Sequence, residues 1–388
     1  MSNFYWNVGK IPFVYEILDT PDNRFNIPNF VPFEVFLNDF GILTQPNNDI
    51  IKNYLKIAYE NSIKIGGNMD DKLFGKIHTD KFIEFINKKN FSDKKILEIG
   101  CGSCYLLHRL KELGAKVIGI DLSEESQRCS KKLQIEVIKD SFPSDLIKDK
   151  FDIIILSSVI EHFFDPISIL KDIKKYLKND GQLIIGVVDS EPYFDIGDIS
   201  IFFHEHISYY TKDSLKQSLN ISGYKDIKVE NSTFNKLIYC SATPGNSFNL
   251  EDDCYEKSLI QVRNFYKKHI SCKEKLFHFI ESCFLSGTTL GFYIPGRVIN
   301  LLTLISCNYF GFLRFFTDDK ENKNKYFPGF SIPIELRSNL LFKPTDYVLI
   351  MSLSFGERIK NQLLESLPKT TKIYTMEEFF NSEMENIL

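Results

Sequence analysis

Five short runs of nearly uninterrupted apolar, mostly β-branched residues constrain this chain more than any other feature. They are "KKILEIG" (94–100), "AKVIGID" (115–121), "IEVIKD" (135–140), "FDIIILS" (151–157) and "GQLIIGVV" (181–188). A strand covered on one face alternates apolar with polar residues. A strand covered on both faces reads as these runs do, and parallel sheets flanked by helices are built from such strands. The helices lie between the runs. "YLLHRLKEL" (105–113) stops at Gly114, a residue suited to the left-handed cap of a helix C-terminus. "DPISILKDIKKYL" (165–177) opens with Asp165 as N-cap and Pro166 at the first helical position. Another helix is expected after Thr211, followed by strands at 226–232 and 236–242. Together these predict an α/β sheet of successive βα units closed by a final strand pair.

Both flanks differ from this centre. Residues 1–70 are rich in Asn, Pro and Phe and show one helical pattern, at 48–62, so they read as an irregular N-terminal module. Beyond "TPGNS" a long helical run (about 250–284) leads to strand-like runs in 289–305, 313–319, 346–352 and 372–376. These predict a second, smaller α/β domain. The expected division is therefore 1–71, 72–245 and 246–388.

Composition narrows the function. With 43% hydrophobic and 25% charged residues the 388-residue chain is of ordinary globular type, and its net charge of −4 argues against broad binding to nucleic acid or anionic lipid. The longest uncharged apolar stretch, 300–313, is too short and too polar to span a bilayer, and "MSNFYWNVGKIPF" has no basic segment followed by an apolar run. The eight cysteines are scattered, with one C-x-x-C at Cys101 and Cys104, so reduced thiols in a cytoplasmic protein are expected, with no metal site.

That C-x-x-C falls inside "ILEIGCGSCYLL", a glycine loop between a strand and a helix. Such a loop lets a ligand approach the backbone. Asp121 closes the next strand, where a carboxylate accepts both hydroxyls of a ribose. A dinucleotide site wants a third glycine where this chain has Tyr105, and Glu98 beside the loop suits a cation better than a phosphate. S-adenosylmethionine (SAM) offers a ribose, an ammonium and a sulfonium and no phosphate, so the residues favour it over NAD.

The stretches "ILEIGCGSC", "VIGIDLS" and "FDIIILSSVIEHFFDPISILKDIKKYLKNDGQLIIGV" resemble a class I SAM-dependent methyltransferase, which implies a Rossmann-like sheet. By that resemblance Gly100 and Gly102 approach the methionine moiety, Asp121 holds the ribose and Asp140 faces the adenine. Glu98, Ser157 and His162 complete the expected cofactor set. Cys104 stands at a position that is usually glycine.

A second cluster, "FFHEHISYYT" (202–211), follows the fifth strand at the carboxyl edge of the sheet. If extended, it places His204 and His206 on one face and Glu205 on the other. It could be a poor metal site, histidines satisfied by backbone contacts, or a general base, since a histidine near neutral pH can take a proton. Together with "GFYIPGRVINLL", "TDDKENKNKYFPGFSIPI" and "DYVLIMSLSFGERI", this segment is similar to bacterial sugar-nucleotide C-methyltransferases of deoxysugar pathways. The resemblance implies that His206 deprotonates a carbon beside a sugar ketone, supported by Glu205 and His204. Two departures stand out. Phe203 replaces the family's tyrosine, and residues 1–70 lack the four zinc-binding cysteines. Hydroxyl methylation of a sugar or other small metabolite is therefore the runner-up, and a SAM-binding protein without activity is a third reading. The loop at Gly291–Gly296 reads either as a second nucleotide site or as a tight packing turn.

Overall fold

The computed structural model describes residues 4–22, 26–60, 73–86, 91–232, 236–246, 254–305, 310–352, 355–383 and 387. The expected boundary at 71/72 lies outside them. The chain begins with β1 (Tyr5–Pro12), β2 (Phe30–Leu37), β3 (Leu43–Thr44) and helix α1 (Asp49–Glu60). The N-terminal module is thus not irregular. β1 and β2 form an antiparallel pair, and β2 pairs with β3. Both long strands bury alternate residues, with Val31, Phe33, Val35 and Leu37 of β2 inward, the period-2 pattern of a sheet covered on one face. The Pro- and Asn-rich connections mask that alternation in the sequence.

After α2 (Leu73–Ile86) come β4 (Lys95–Ile99), α3 (Tyr105–Glu112), β5 (Lys116–Ile120), α4 (Glu124–Leu133), β6 (Glu136–Ile138) and β7 (Phe151–Ser157). They are followed by α5 (Pro166–Tyr176), β8 (Leu177–Val188), α6 (Glu191–Ile196), β9 (Ser208–Tyr209), α7 (Lys212–Ile221), β10 (Tyr224–Asn231) and β11 (Leu237–Pro244). The seven-stranded sheet has the order β10-β11-β8-β7-β4-β5-β6. It is parallel from β8 to β6, and β11 inserts antiparallel beside β8. Ile153–Leu156 of β7 are all buried, as the continuous apolar run requires. The caps also form: Asp165 accepts from the Ser168 amide, and Thr211 and Ser214 make a capping box.

The 33-residue helix α8 (Cys254–Ser286) buries Leu259, Val262, Phe265, His269, Cys272 and Leu276 at three- and four-residue spacing. It leads to β12 (Leu290–Tyr293), α9 (Ile299–Leu304), β13 (Arg314–Thr317), β14 (Ile334–Leu336) and α10 (Arg337–Phe342). The chain continues through β15 (Tyr347–Ile350), α11 (Gly356–Leu364), β16 (Lys372–Thr375) and α12 (Met376–Asn381). This second sheet, ordered β14-β13-β12-β15-β16, is wholly parallel. At its glycine loop a Cβ on Gly291 would lie 2.7 Å from the Phe316 ring, so this glycine serves close packing between strands.

The three parts are not independent. One hydrophobic core runs from Trp6, Phe33 and Val35 through Phe202 and Phe265 to Phe292, Ile299 and Phe315. The short strand β9, from the loop after β8, completes the N-terminal sheet by pairing with β3. No helix among the described residues is long and apolar enough to cross a membrane.

Candidate active site

The carboxyl ends of β4, β5 and β7 and the loop before β9 converge on one region. Gly100 is in the left-handed region (φ 72°), and a Cβ there would lie 2.6 Å from Val159. Only glycine lets the loop after β4 pass this close to the loop after β7. Gly102 (φ 44°) and Cys104 (φ 58°) are also left-handed, so the cysteine at the usual glycine position keeps the backbone shape a glycine would give. Its thiol is buried, 3.9 Å from that of Cys101.

Asp121 ties this loop. One carboxylate oxygen accepts the Gly102 amide at 2.9 Å, and the other accepts the Ser123 amide at 2.7 Å. Each oxygen keeps a further lone pair for a ribose hydroxyl. Glu98 is buried at the end of β4, and Ser157 ends β7. Asp140 follows β6. The Ser144 hydroxyl and Ser141 amide that it accepts hold its carboxyl below the ordinary range. The donor set is acidic, which fits a cationic, ribose-bearing ligand without phosphate.

The segment 202–207 is a turn and not the extended run expected from its alternation. The His206 amide donates to the Phe203 carbonyl at 3.0 Å. The Gln45 side-chain amide donates to the carbonyls of Phe203, His204 and His206 at 3.1, 3.2 and 2.8 Å. The two histidines consequently part. His204 is fully buried in the N-terminal module, with Nε2 3.2 Å from the Pro32 carbonyl and its ring between Phe13 and Phe33. Burial pushes it down to about 4, so it is a neutral core residue and its side chain gives no support to His206.

His206 instead faces the turn after β7, where Glu161 and His162 lie. Its ring packs edge-on against His162 at 5.2 Å and against Phe203 at 5.4 Å. Burial, and then the neighbouring His162, push it down to about 3. Glu205 sends its carboxylate the other way, accepting the Tyr59 hydroxyl of α1 at 2.9 Å. Its carbonyl lies 3.0 Å from His162 Nδ1. A carbonyl only accepts, so Nδ1 carries the proton and Nε2 of a neutral His162 is the free acceptor.

The sequence marks Glu161 through the Glu161-His162 segment near the expected methionine end, but only His162 enters the expected site. Glu161 lies in the 3-10 turn Ile160–His162, is 2% exposed, and neither of its carboxylate oxygens has a hydrogen-bond partner. One donor atom each from Glu161, His162 and His206 lie within 4.8 Å of one another. These donor types could also hold a cation. Desolvation raises the Glu161 carboxyl above the ordinary range, opposed by His162 and reinforced by Glu205.

Residues 69–229 match the family model described as a methyltransferase domain. The chain thus carries a methyltransferase domain, and the acidic cradle at its strand ends suits S-adenosylmethionine as cofactor. Residues 246–376 match the C-methyltransferase C-terminal domain, so the chain couples a methyltransferase domain to this specific partner domain. Among curated relatives, the ubiquinone biosynthesis O-methyltransferase of Idiomarina loihiensis is 26% identical over 169 residues, 37% of this chain and 67% of that protein. The enzyme of the same name from Glaesserella parasuis is 35% identical over 121 residues, 28% of this chain and 51% of that protein. The chain thus spans about half to two thirds of the length of these relatives. A solved structure with similarity is magnesium protoporphyrin IX methyltransferase from Synechocystis PCC 6803 with bound SAH. It has a TM-score of 0.38 and 16% identity, covering 51% of this chain and all of that one (100%).

Proposed function

We propose that the protein methylates a carbon atom of a nucleotide-linked keto-deoxysugar, with His206 as general base. The observation that carries this reading is the C-methyltransferase C-terminal domain match, joined to a neutral histidine facing the turn after β7. The cofactor supplies an electrophilic methyl group on a sulfonium. Glu98 and Asp121 hold its ammonium and ribose, and Asp140, Ser157 and His162 complete the pocket. His206, neutral at physiological pH, takes the proton from the carbon beside the ketone. The electron pair left on carbon is then available to form the new bond to the methyl group.

The similarity to curated O-methyltransferases and the absence of a hydroxyl on Phe203 favour a second reading, in which His206 takes an O–H proton. Incubation with methyl-labelled SAM and a panel of nucleotide sugars, with the labelled atom located by NMR, separates the two. His206→Ala is expected to lose ~10²–10⁴-fold in turnover and keep SAM affinity within a few-fold. Near-normal turnover in that variant would make the histidine turn structural, and an O-methyl product would move the reading to the hydroxyl.

A further inference from the structure

We infer that Glu161 is the terminal acceptor of the proton that His206 removes, so that carboxylate and imidazoles act as one proton-handling unit. The inference rests on the base assignment for His206 and extends it to a group that acts through that histidine. A carboxyl that is 2% exposed with both oxygens unpartnered is costly to keep, because burial of a polar group ordinarily demands a hydrogen bond. Here a ring nitrogen of His162 and one of His206 lie within 4.8 Å of a Glu161 oxygen, a gap of the width one water molecule spans. His162 cannot turn away, because its Nδ1 proton is engaged by the Glu205 carbonyl, which leaves Nε2 as the free acceptor. The backbone fixes the same geometry: the Ile207 amide donates to the Glu161 carbonyl at 2.7 Å, locking the histidine turn onto the 3-10 turn.

The chemistry needs such a group. An imidazole held down to about 3 is neutral but a weak base, and its protonated form is poorly tolerated where it sits. With the Glu161 carboxylate beside it, the proton need not remain on nitrogen. The substrate C–H bond breaks as an N–H bond forms on His206. That N–H bond then breaks as the proton passes through a bridging water and an O–H bond forms on Glu161; the electron pair on carbon bonds the methyl group as the methyl–sulfur bond breaks and its electron pair stays on sulfur. The pair begins as carboxylate and neutral imidazole and ends as carboxylic acid and neutral imidazole, so no cation stays buried. The charged and titratable groups around Glu161 are His162 on its own turn, His206 and Glu205 from the histidine turn, and Tyr210 beyond β9. The working form is the carboxylate. The acid limb of the rate profile therefore reports Glu161, above the usual carboxylate range, and not His206 near 3.

The test compares wild type, Glu161→Gln and His206→Ala, each with the demethylated cofactor bound. Solvent deuterium exchange into a nucleoside-diphosphate keto-deoxysugar is followed against pH. Glu161→Gln is expected to slow exchange ~10–100-fold, to lose the acid limb, and to keep SAM affinity within a few-fold. Glu161→Asp should restore part of the rate and a limb. Independently of any substrate, the ¹⁵N shifts of His206 should follow a titration above the usual carboxylate range in wild type and not in Glu161→Gln. Exchange abolished in His206→Ala, with rate and pH profile untouched in Glu161→Gln, overturns the inference while the base assignment stands. Exchange untouched in both overturns both. A stoichiometric divalent cation lost in Glu161→Gln would also overturn it, since the carboxylate would then be a metal ligand.

Discussion

Replacing Asn300 by leucine tests what the C-terminal domain does for the histidine turn. Asn300 lies on α9 and is fully buried, with Nδ2 donating to the Ile199 carbonyl at 2.9 Å and the Phe202 carbonyl at 3.1 Å. Its Oδ1 accepts the hydroxyl of Tyr15, whose ring packs on Phe203 at 4.7 Å. Leucine keeps the volume and removes all three bonds. The Ile199 carbonyl retains the Phe202 amide at 3.0 Å, so it is not orphaned. The Tyr15 hydroxyl and the Phe202 carbonyl are left with each other at 3.5 Å, too long to count as a full bond. Two buried polar groups losing their partners cost ~2–4 kcal/mol at ~1–3 each, with some relaxation.

Because the chain has several domains, a single unfolding free energy is the wrong readout. Hydrogen exchange of the amides of Phe202, His206 and Ile207 reports the local opening directly. At ~1.4 kcal/mol per tenfold, Asn300→Leu should reduce their protection roughly 30- to 700-fold. Tyr15→Phe should cost less, ~1 kcal/mol. The double variant should cost less than the sum, because the phenylalanine leaves no hydroxyl to orphan. If protection at 202–207 is unchanged in Asn300→Leu, the C-terminal domain does not hold the turn and the reasoning fails.

Asp121→Ala removes the acceptor for two loop amides as well as for the ribose, so SAM affinity by calorimetry should fall at least ~10-fold, with Asp121→Asn milder. Gly100→Ala forces a left-handed alanine and a Cβ 2.6 Å from Val159. A cost of ~2–4 kcal/mol should appear as a lower melting temperature and weaker SAM binding. His204 and His269, pushed by burial to about 4 and about 3, stay neutral in the fold while the unfolded chain protonates below ~6.5. The unfolded state then binds more protons, so thermal stability should decline as pH falls from 6.5 toward 4, and His204→Phe should flatten that decline.

The central sheet was legible because its strands are covered on both faces, and local composition alone carries that signal. Val31 and Phe33 alternate as cleanly as any textile of a half-covered sheet, yet Pro32 sits between them and β3 has two residues, so length and propensity both argued against strands. That Glu98 and Asp121 stand at strand ends was legible for a related reason: strand ends can be counted. The histidine turn was not. Its alternation implies an extended segment, but Gln45, far upstream, bends it by taking three of its carbonyls. A contact of that sequence separation leaves no local trace. Glu161 is recognisable only once its oxygens are seen to lack partners, which is a property of its surroundings.

These contacts explain why the protein is built in three parts around a few residues. The turn 202–207 contains little regular hydrogen bonding of its own and would sample many conformations if left alone. Gln45 and Thr44 grip it from the N-terminal module, Glu161 and His162 from the central domain, and Asn300 from the C-terminal domain. On the proposed role of His206, a base displaced by about 1 Å would lose much of its rate, so each grip would act on turnover and not only on stability. Removing a whole domain would not reveal this. The N-terminal and C-terminal parts share one hydrophobic core through Trp6, Phe33, Phe265 and Ile299, and a truncation would expose it. Single polar substitutions such as Asn300→Leu leave that core closed, and so separate positioning of His206 from folding of the chain.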